Sequence, residues 1–246
     1  QALGNAQGNP IGTAGAYEDI LGGSPGNDHI LAGDLNDDVG SGAGDDWIEG
    51  GSGQDYLHGE AGADRIEGGT GSDIVFGEDG NDRLYATTQL TPEAAIASGN
   101  SDTGSGLKGD WLAGNAGDDT LIAGADNDVL TGGAGSDLLI AGAGDDNILG
   151  DADYVPQFQW EATPRYSIGS KNWYHSSIDI FNWGWTDTPD NRTFAPVMGD
   201  RNPAGGAADV IHAGAGNDYV WAGVGDDNVW GEAGNDTLLG EDGNDL

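Results

Sequence analysis

Aliphatic residues recur every nine positions along most of the chain, and each one follows an aspartate by two positions. Between them lie Gly, Asn and Asp, which favour tight turns. The pattern predicts units of a six-residue turn and a three-residue strand whose middle side chain points inward. These aliphatic positions are Leu21, Ile30, Val39, Ile48, Leu57, Ile66, Val75, Leu84, Leu112, Leu121, Leu130, Leu139, Ile148, Ile211, Val220, Val229 and Leu238.

So short a period predicts a solenoid, because a repeat with one apolar residue can bury it only by stacking on its neighbours. Two units would complete one coil, and about nine coils at a strand spacing of ~4.8 Å would form a stack roughly 43 Å long. The expected fold class is all-β, a parallel β-roll or β-helix solenoid built from nonapeptide repeats and broken by two insertions.

The repeats fall into three blocks, which we expect to form one continuous solenoid domain. Within the first insertion, the segment TPEAA predicts a short helix with Thr91 as N-cap and Pro92 at the first helical position. The predicted boundaries are 1–13 for an N-terminal loop, 14–85 for the first block, 86–104 for the first insertion, 105–150 for the second block, 151–203 for an aromatic-rich insertion and 204–246 for the third block.

Composition adds a strong negative charge to this picture. The 246 residues include 43 acidic and 7 basic side chains, 47 glycines and no cysteine, for a formal charge of −36. Such a charge opposes compact structure, and acidic, weakly apolar chains are often disordered. The shared register of aliphatic, glycine and aspartate positions argues against disorder. The charge also argues against a nucleic-acid partner, which needs basic groups to neutralise its phosphates, and it favours a cation.

The repeated aspartate predicts a metal site, because carboxylates stacked in successive coils repel one another unless a cation lies between them. Calcium accepts six to eight oxygen ligands in irregular geometry, from carboxylates and backbone carbonyls alike. Magnesium requires a tighter octahedron, and zinc prefers Cys or His, neither of which recurs here. We therefore predict Ca²⁺ bound by aspartates and turn carbonyls.

The predicted metal ligands include one aspartate from every regular unit. The units of Asp19, Asp110 and Asp209 are degenerate, and their aspartates are further candidates that we also expect to act as caps or re-entry points after the breaks. Leu35 and Asp126 replace a turn glycine. The regular units supply Asp28, Asp37, Asp46, Asp55, Asp64, Asp73, Asp82, Asp119, Asp128, Asp137, Asp146, Asp218, Asp227, Asp236 and Asp245.

The units GGSGQDYLH (50–58), GGTGSDIVF (68–76) and GGAGSDLLI (132–140) fit the pattern G-G-x-G-x-D-x-U-x. In these units the chain resembles the RTX, or haemolysin-type, calcium-binding β-roll proteins. The resemblance implies a calcium ion between same-side turns, shared by aspartates 18 residues apart such as Asp46 and Asp64. One ion for each such pair within a block gives about 12 ions, which would reduce the formal charge from −36 to about −12.

The resemblance also implies a bacterial protein exported by type I secretion, unfolded in the low-calcium cytosol and folded outside. We expect a secreted or cell-surface module with a structural or assembly role, as in a surface layer, adhesin or filament. The alternative is a calcium-dependent carrier segment of a larger secreted enzyme or toxin, such as a protease, lipase or epimerase. Because the sequence begins at Gln1 and ends within a repeat, we expect a segment of a longer polypeptide or a trimmed form. No run approaches the ~18 apolar residues of a membrane span.

No catalytic residue is predicted. The G-x-S-x-G match at 22–26 lies in a repeat turn, without the long strand and helix of a nucleophile elbow. His29, His58 and His212 fall on outward strand positions. We therefore expect the chain not to be an enzyme.

The aromatic-rich insertion is the least repetitive part of the chain, with Trp160, Trp173, Trp183 and Trp185. Its aromatics would form either a satellite core or a contact surface for another subunit, a glycan or a cell-surface partner. Alternation in SSIDIFNWGW (176–185) predicts a strand or hairpin. Further aromatics at outward strand positions are Trp47, Trp111, Tyr219, Trp221 and Trp230.

Overall fold

A computed structural model describes residues 10–11, 19–87, 89–99, 108–151, 166–168, 171–173 and 207–246. The chain divides into two compact units. The first comprises residues Gln1–Tyr154 and Asp200–Leu246, and it contains all the described repeats. The second comprises residues Val155–Gly199.

The described elements are short strands and one helix. In the first half of the chain they are β1 (Pro10–Ile11), β2 (Ile20–Gly22), β3 (His29–Asp34), β4 (Asp38–Gly40), β5 (Trp47–Ser52), β6 (Tyr56–Ala61), β7 (Arg65–Thr70), β8 (Ile74–Asp79), β9 (Arg83–Tyr85), α1 (Pro92–Gly99), β10 (Lys108–Ala116) and β11 (Thr120–Ile122). The rest are β12 (Asn127–Ala134), β13 (Leu138–Ala143), β14 (Asn147–Leu149), β15 (Tyr166–Ile168), β16 (Lys171–Trp173), β17 (Val210–Gly216), β18 (Tyr219–Val224), β19 (Asn228–Trp230), β20 (Ala233–Gly234) and β21 (Thr237–Asp242).

Alternate strands belong to two parallel sheets, as a parallel β-roll requires. The first sheet runs β1-β3-β5-β7-β9-β11-β13-β17-β19, with β20 paired to β17. The second runs β2-β4-β6-β8-β10-β12-β14-β18-β21. In regular coils each residue pairs with the residue 18 positions on, such as Ile48 with Ile66. The predicted fold class is confirmed.

The core is a single stack of the predicted inward aliphatic side chains. From Ile30 to Val220, each middle residue of a strand is fully buried between the two sheets. Leu21 is 6% exposed and Val229 packs partly against the stack, whereas Leu238, in the last described coil, is 43% exposed. One aliphatic residue per repeat therefore forms the core only through its neighbours above and below.

Several strands are longer than the predicted three residues. Strand β5 continues through the two glycines of the next turn, and Gly51 and Ser52 pair with Gly69 and Thr70 of β7. Gly51 has a φ of 113°, a left-handed conformation that glycine adopts without a steric penalty. The ladder therefore continues into the turn and ties the turns of successive coils together.

The stack continues across both breaks in the repeat. At the first break β8 pairs with β10 and β9 with β11, and at the second β13 pairs with β17 and β14 with β18. The predicted helix forms as α1, where Thr91 Oγ1 accepts a hydrogen bond from the Ala94 N–H at 3.3 Å. Ala95 of this helix packs on Tyr85, Ile122 and Ile140, on the outer surface of the first sheet.

In the second unit the described residues form one antiparallel pair, β15 with β16. The predicted strand or hairpin at 176–185 lies outside the described residues. Within the described part of the chain, no helix is long and apolar enough to cross a membrane.

Candidate metal centre

All the aspartates predicted as metal ligands stack in two columns. Except for the last aspartate of each column, the main-chain N–H of each donates to Oδ1 of the aspartate one coil further on, over 2.6–3.2 Å. The first column contains Asp28, Asp46, Asp64, Asp82, Asp119, Asp137, Asp209, Asp227 and Asp245. The second contains Asp19, Asp37, Asp55, Asp73, Asp110, Asp128, Asp146, Asp218 and Asp236.

The columns continue across both breaks, where the spacing changes from 18 residues to 37 and then to 72. Asp110 and Asp209, in degenerate units, each re-enter a column and are buried there. The count of about 12 ions considered only pairs within a block and stays a prediction. The pairs that span the breaks are Asp73–Asp110, Asp82–Asp119, Asp137–Asp209 and Asp146–Asp218.

The second carboxylate oxygen of most column aspartates has no hydrogen-bond donor among the described residues. These oxygens are buried, and a buried anionic oxygen without a donor or a cation is unfavourable. This arrangement therefore leaves a place for a positive charge beside each of them. The oxygens are Oδ2 of Asp55, Asp64, Asp73, Asp82, Asp119, Asp137, Asp146, Asp209, Asp218 and Asp227.

A main-chain carbonyl lies beside each of several of these oxygens, next to the first glycine of the repeat. A Cβ on Gly68 would lie 2.6 Å from Asp73 Oδ2 and 2.6 Å from the Ala86 carbonyl oxygen, one coil further on. The same two kinds of oxygen meet beside Gly77, Gly114 and Gly132. Any side chain there would fill this space, so glycine keeps a carboxylate and a carbonyl oxygen open to a common ligand.

Burial makes these carboxyl groups hard to ionise unless a cation is present. It raises the pKa of Asp64 to about 8, and the charges of Asp82 and Asp46 add to the effect against the hydrogen bond from the Asp46 N–H. Burial likewise raises the pKa of Asp73 to about 7 and of Asp209 to about 9. A divalent cation beside such a group would stabilise its charged form.

The donor set fits calcium. It consists of carboxylate and carbonyl oxygens, which calcium prefers and accepts in irregular geometry. Within the described part of the chain, no three His, Asp or Glu side chains converge on one point, so the fit rests on carboxylate–carbonyl pairs. The column aspartates and the turn carbonyls would hold the ion, and the ion would supply charge compensation and cross-linking of successive coils.

Two irregular turns differ in local detail. In the turn before Asp28, the Ser24 N–H and hydroxyl both donate to Oδ2 of Asp28, at 2.5 and 2.9 Å. The serine of the G-x-S-x-G match therefore donates hydrogen bonds within a repeat turn. Leu35, which replaces a turn glycine, takes a φ of 76°.

The repeat pattern did not reveal a second ladder, one residue before the column aspartates. Here Oδ1 of an Asn or Asp accepts the main-chain N–H of the residue one coil further on, as Asn27 does from Asp45 at 3.1 Å and Asn36 from Gln54 at 2.9 Å. Its hydrogen bonds point opposite to those of the buried columns. Its signal in the sequence is the frequent Asn or Asp immediately before the repeated aspartate.

The three outward histidines also connect coils. Each bonds to a glutamate 20 residues on, at 2.6–2.9 Å, and stacks on an aromatic ring 18 residues on, at centroid distances of 4.0–5.0 Å. Their side chains are 13–22% exposed and so only partly face solvent. The sets are His29–Trp47–Glu49, His58–Phe76–Glu78 and His212–Trp230–Glu232.

One buried carboxylate lies outside the nine-residue period and was missed. Asp151 is 1% exposed, at the point where the chain leaves the roll for the aromatic-rich insertion. Its carboxylate accepts the N–H groups of Ala207, at 3.2 Å, and Val224, at 2.5 Å. The sequence gives no periodic signal for it.

Comparison with known proteins agrees with this geometry. No curated protein matches the chain. The family described as RTX calcium-binding nonapeptide repeat (4 copies) matches residues 11–39, 31–66, 40–75, 58–88, 105–139, 124–154, 204–238 and 212–246. These matches cover more than half of the sequence and include both columns, so the chain belongs to the RTX calcium-binding nonapeptide repeat family.

Proposed function

We propose that this chain is a structural module that folds outside the cell when calcium fills the two aspartate columns. The supporting observation is the row of buried Oδ2 atoms that have no donor among the described residues. In each column, carboxylates of like charge lie one coil apart. Only bound cations favour the ionised form of all these carboxyl groups together. Calcium binding and folding are therefore one event.

Calcium-driven folding suits export. A chain with a formal charge of −36 stays expanded where calcium is scarce, which is the state that a secretion channel accepts. Extracellular calcium modules bind at about 10⁻⁴–10⁻³ M, a range that separates the cytosol from the outside. We accordingly propose a secreted or cell-surface location in a bacterium and type I secretion as the route.

The test is a calcium titration followed by far-ultraviolet circular dichroism. We expect a disordered spectrum in chelator and a cooperative gain of β-structure near ~1 mM calcium. Sodium chloride at about 1 M is the control, because it screens surface charge but supplies no divalent cation. A β-rich spectrum in excess chelator at about pH 8, or folding in salt alone at that pH, would contradict the proposal.

A column variant connects this folding to the aspartates. Asp64→Asn removes one charge beside a carbonyl while keeping the size of the side chain, and we expect a severalfold higher calcium concentration at the midpoint. Asp45→Asn is the matched control, because Asp45 lies on the neighbouring exposed ladder and Asn can accept the same hydrogen bond from the Ala63 N–H. Equal midpoints for both variants would argue against ligands at the columns.

We further propose that the folded module assembles with other copies or with a surface partner and has no catalytic role. Trp230, at an outward strand position where it stacks on His212, is 46% exposed and offers apolar area to a partner. Light scattering with and without calcium tests assembly, and a strict monomer in both would count against it. In that case the carrier-segment alternative, which needs calcium folding but no assembly, becomes the better account.

A further inference from the structure

The first residue of the repeat, two positions after each inward aliphatic side chain, divides the turns of the roll into two kinds. In the described turns it is glycine at Gly23, Gly50, Gly59, Gly68, Gly77, Gly114, Gly132, Gly150, Gly231 and Gly240. In the other described turns it is Ala32, Ser41, Ala86, Ala123, Ala141, Ala213 or Ala222. Each residue of the second kind has the Cβ that glycine lacks.

Seven of the glycine turns keep a space between a column carboxylate and the carbonyl oxygen one coil further on. A Cβ there would lie 2.2–2.7 Å from Oδ2 of the aspartate and 2.0–2.9 Å from the carbonyl oxygen, so the space exists because the side chain is absent. All seven Oδ2 atoms are buried and have no hydrogen-bond donor among the described residues. The turns pair Gly50 with Asp55, Gly59 with Asp64, Gly68 with Asp73, Gly77 with Asp82, Gly114 with Asp119, Gly132 with Asp137 and Gly150 with Asp209.

At the start of the first column, serine side chains occupy the corresponding oxygens. Beside Gly59 the carbonyl oxygen is that of Gly77, 18 residues on, and the same step leads from Ser41 to Gly59. Ser41 is fully buried, and its hydroxyl donates to this Gly59 carbonyl oxygen at 2.6 Å. In the turn before, Oδ2 of Asp28 already accepts the N–H and the hydroxyl of Ser24. The protein's own donors therefore take the oxygens that an ion would need in these two turns.

Alanine closes further turns with a methyl group. The turn after Ala141 has the same backbone conformation as a glycine turn, since φ is 110° at Gly142 and 113° at Gly51. The methyl of the alanine therefore lies where a Cβ would fall beside Gly50, between the carboxylate and the carbonyl oxygen. A methyl group fills this space and offers no lone pair to a cation. The alanines of successive turns in the second column are 0–6% exposed and belong to the apolar core: Ala86, Ala123, Ala141 and Ala213.

The two kinds of turn are unevenly distributed between the columns. In the first column, five successive aspartates from Asp64 to Asp209 adjoin an open glycine turn. In the second column, Asp55 and Asp73 adjoin one, and the next four described turns begin with alanine. One edge of the roll therefore has an unbroken row of open positions, whereas much of the opposite edge is packed with methyl groups.

We propose that the first residue of the repeat selects which turns bind calcium, so that the open glycine turns bind an ion and the alanine and serine turns do not. The inference rests on the proposed calcium-binding function and assigns the ions to particular turns. Calcium then forms one continuous row from Asp64 to Asp209 and fills two positions at Asp55 and Asp73. The described turns bind about seven ions, fewer than one for each pair of column aspartates. Apolar packing and the Oδ1 hydrogen bonds hold the alanine turns together.

Counting the bound calcium in paired variants of the full chain tests this selection. Ala123→Gly/Ala141→Gly/Ala213→Gly opens three successive turns of the second column, and we expect about three more ions per chain. Gly77→Ala/Gly114→Ala/Gly132→Ala closes three successive turns of the first column, and we expect about three fewer. Equilibrium dialysis at saturating calcium, followed by atomic emission, gives the counts, and circular dichroism reports whether each variant is folded.

The matched control is Ala125→Gly/Ala143→Gly/Ala215→Gly. It makes the same change in the same three turns as the first variant, but two residues later, at the third position of the repeat. A methyl group lost there opens no space beside the first position, so the control should bind as many ions as the unmodified chain. An equal gain in the control and in the first variant would show that added glycine, rather than the first position, increases binding.

The outcomes separate the selection from calcium binding itself. If the first variant gains no ions, or if the unmodified chain binds one ion for every pair of column aspartates, the selection is wrong although the proposed function stands. If the glycine-to-alanine variant does not fold at any calcium concentration, the alanine-to-glycine variant decides, and Ala141→Gly alone should still gain one ion. If the unmodified chain binds no calcium, it is the proposed function that fails.

Discussion

At the scale of single residues, the repeat depends on the two carboxylate oxygens of its aspartate and on its first glycine, which has no side chain. The aspartates could be located from the sequence because each repeats nine residues after the last. Their two oxygens could not be assigned in the same way, since one accepts an N–H of the preceding coil and the other stays without a donor only in the folded stack. Asp151 escaped prediction because it belongs to no period.

The first glycine of the repeat gives a direct test at this scale. In Gly68→Ala the new Cβ would lie 2.6 Å from both Asp73 Oδ2 and the Ala86 carbonyl oxygen, so we expect weaker calcium binding and about 1–3 kcal/mol lower stability. The control is Gly22→Ala at the end of β2. There no atom lies within 4 Å of the new Cβ, and we expect at most a small change. Unfolding by urea at fixed calcium compares them, and equal losses would refute the role of the glycine.

At the scale of elements, the turn–strand alternation, the parallel pairing and α1 were predicted, and the strand lengths were not. The period marks where a strand begins, but it cannot show that the ladder continues through Gly51, because this depends on the turn one coil away. The histidine sets were also missed. Each joins residues 18 and 20 positions apart, and such contacts are recognised only when the coils are stacked.

Helix α1 covers an apolar patch on the outer face of the first sheet, and adjacent alanines test this contact. Ala95 is 4% exposed against Ile122 and Ile140, so Ala95→Asp places a charge in an apolar contact and should destabilise the chain by about 1–3 kcal/mol. Ala94→Asp, one residue earlier and exposed, should have little effect. Thermal unfolding in saturating calcium distinguishes them, and a neutral Ala95→Asp would show that α1 does not stabilise the roll.

At the scale of the whole molecule, the repeated carboxyl groups make stability depend on pH and calcium together. Burial raises their pKa to about 7 in Asp55, about 8 in Asp119 and about 7 in Asp218, whereas the ordinary pKa of an aspartate is 3.8. The folded chain without calcium therefore binds more protons than the unfolded chain between about pH 4 and about pH 8. Its stability is greatest below about pH 4 and is lost as the pH rises through about 7–8.

Because the stability of the calcium-free chain falls as the pH rises, we predict that acid partly replaces calcium. In calcium-free buffer we expect more β-structure at about pH 4 than at about pH 8, because protonation removes the charge from the columns. At the higher pH, added calcium should restore the β-structure and release protons, which a pH electrode or calorimetry in different buffers detects. A calcium-free spectrum that gains β-structure as the pH rises would contradict the burial of uncompensated carboxyl groups.

The columns also constrain how such a chain can change length in evolution. A duplication or loss of 18 residues adds or removes one complete coil and leaves every donor–acceptor pair intact. A change of nine residues would instead move each later strand to the opposite sheet and each later aspartate to the other column. Insertions of arbitrary length are tolerated where the chain returns to the same column, as Asp110 and Asp209 do. Genes for such rolls should therefore vary by whole coils, with new sequence confined to single turns.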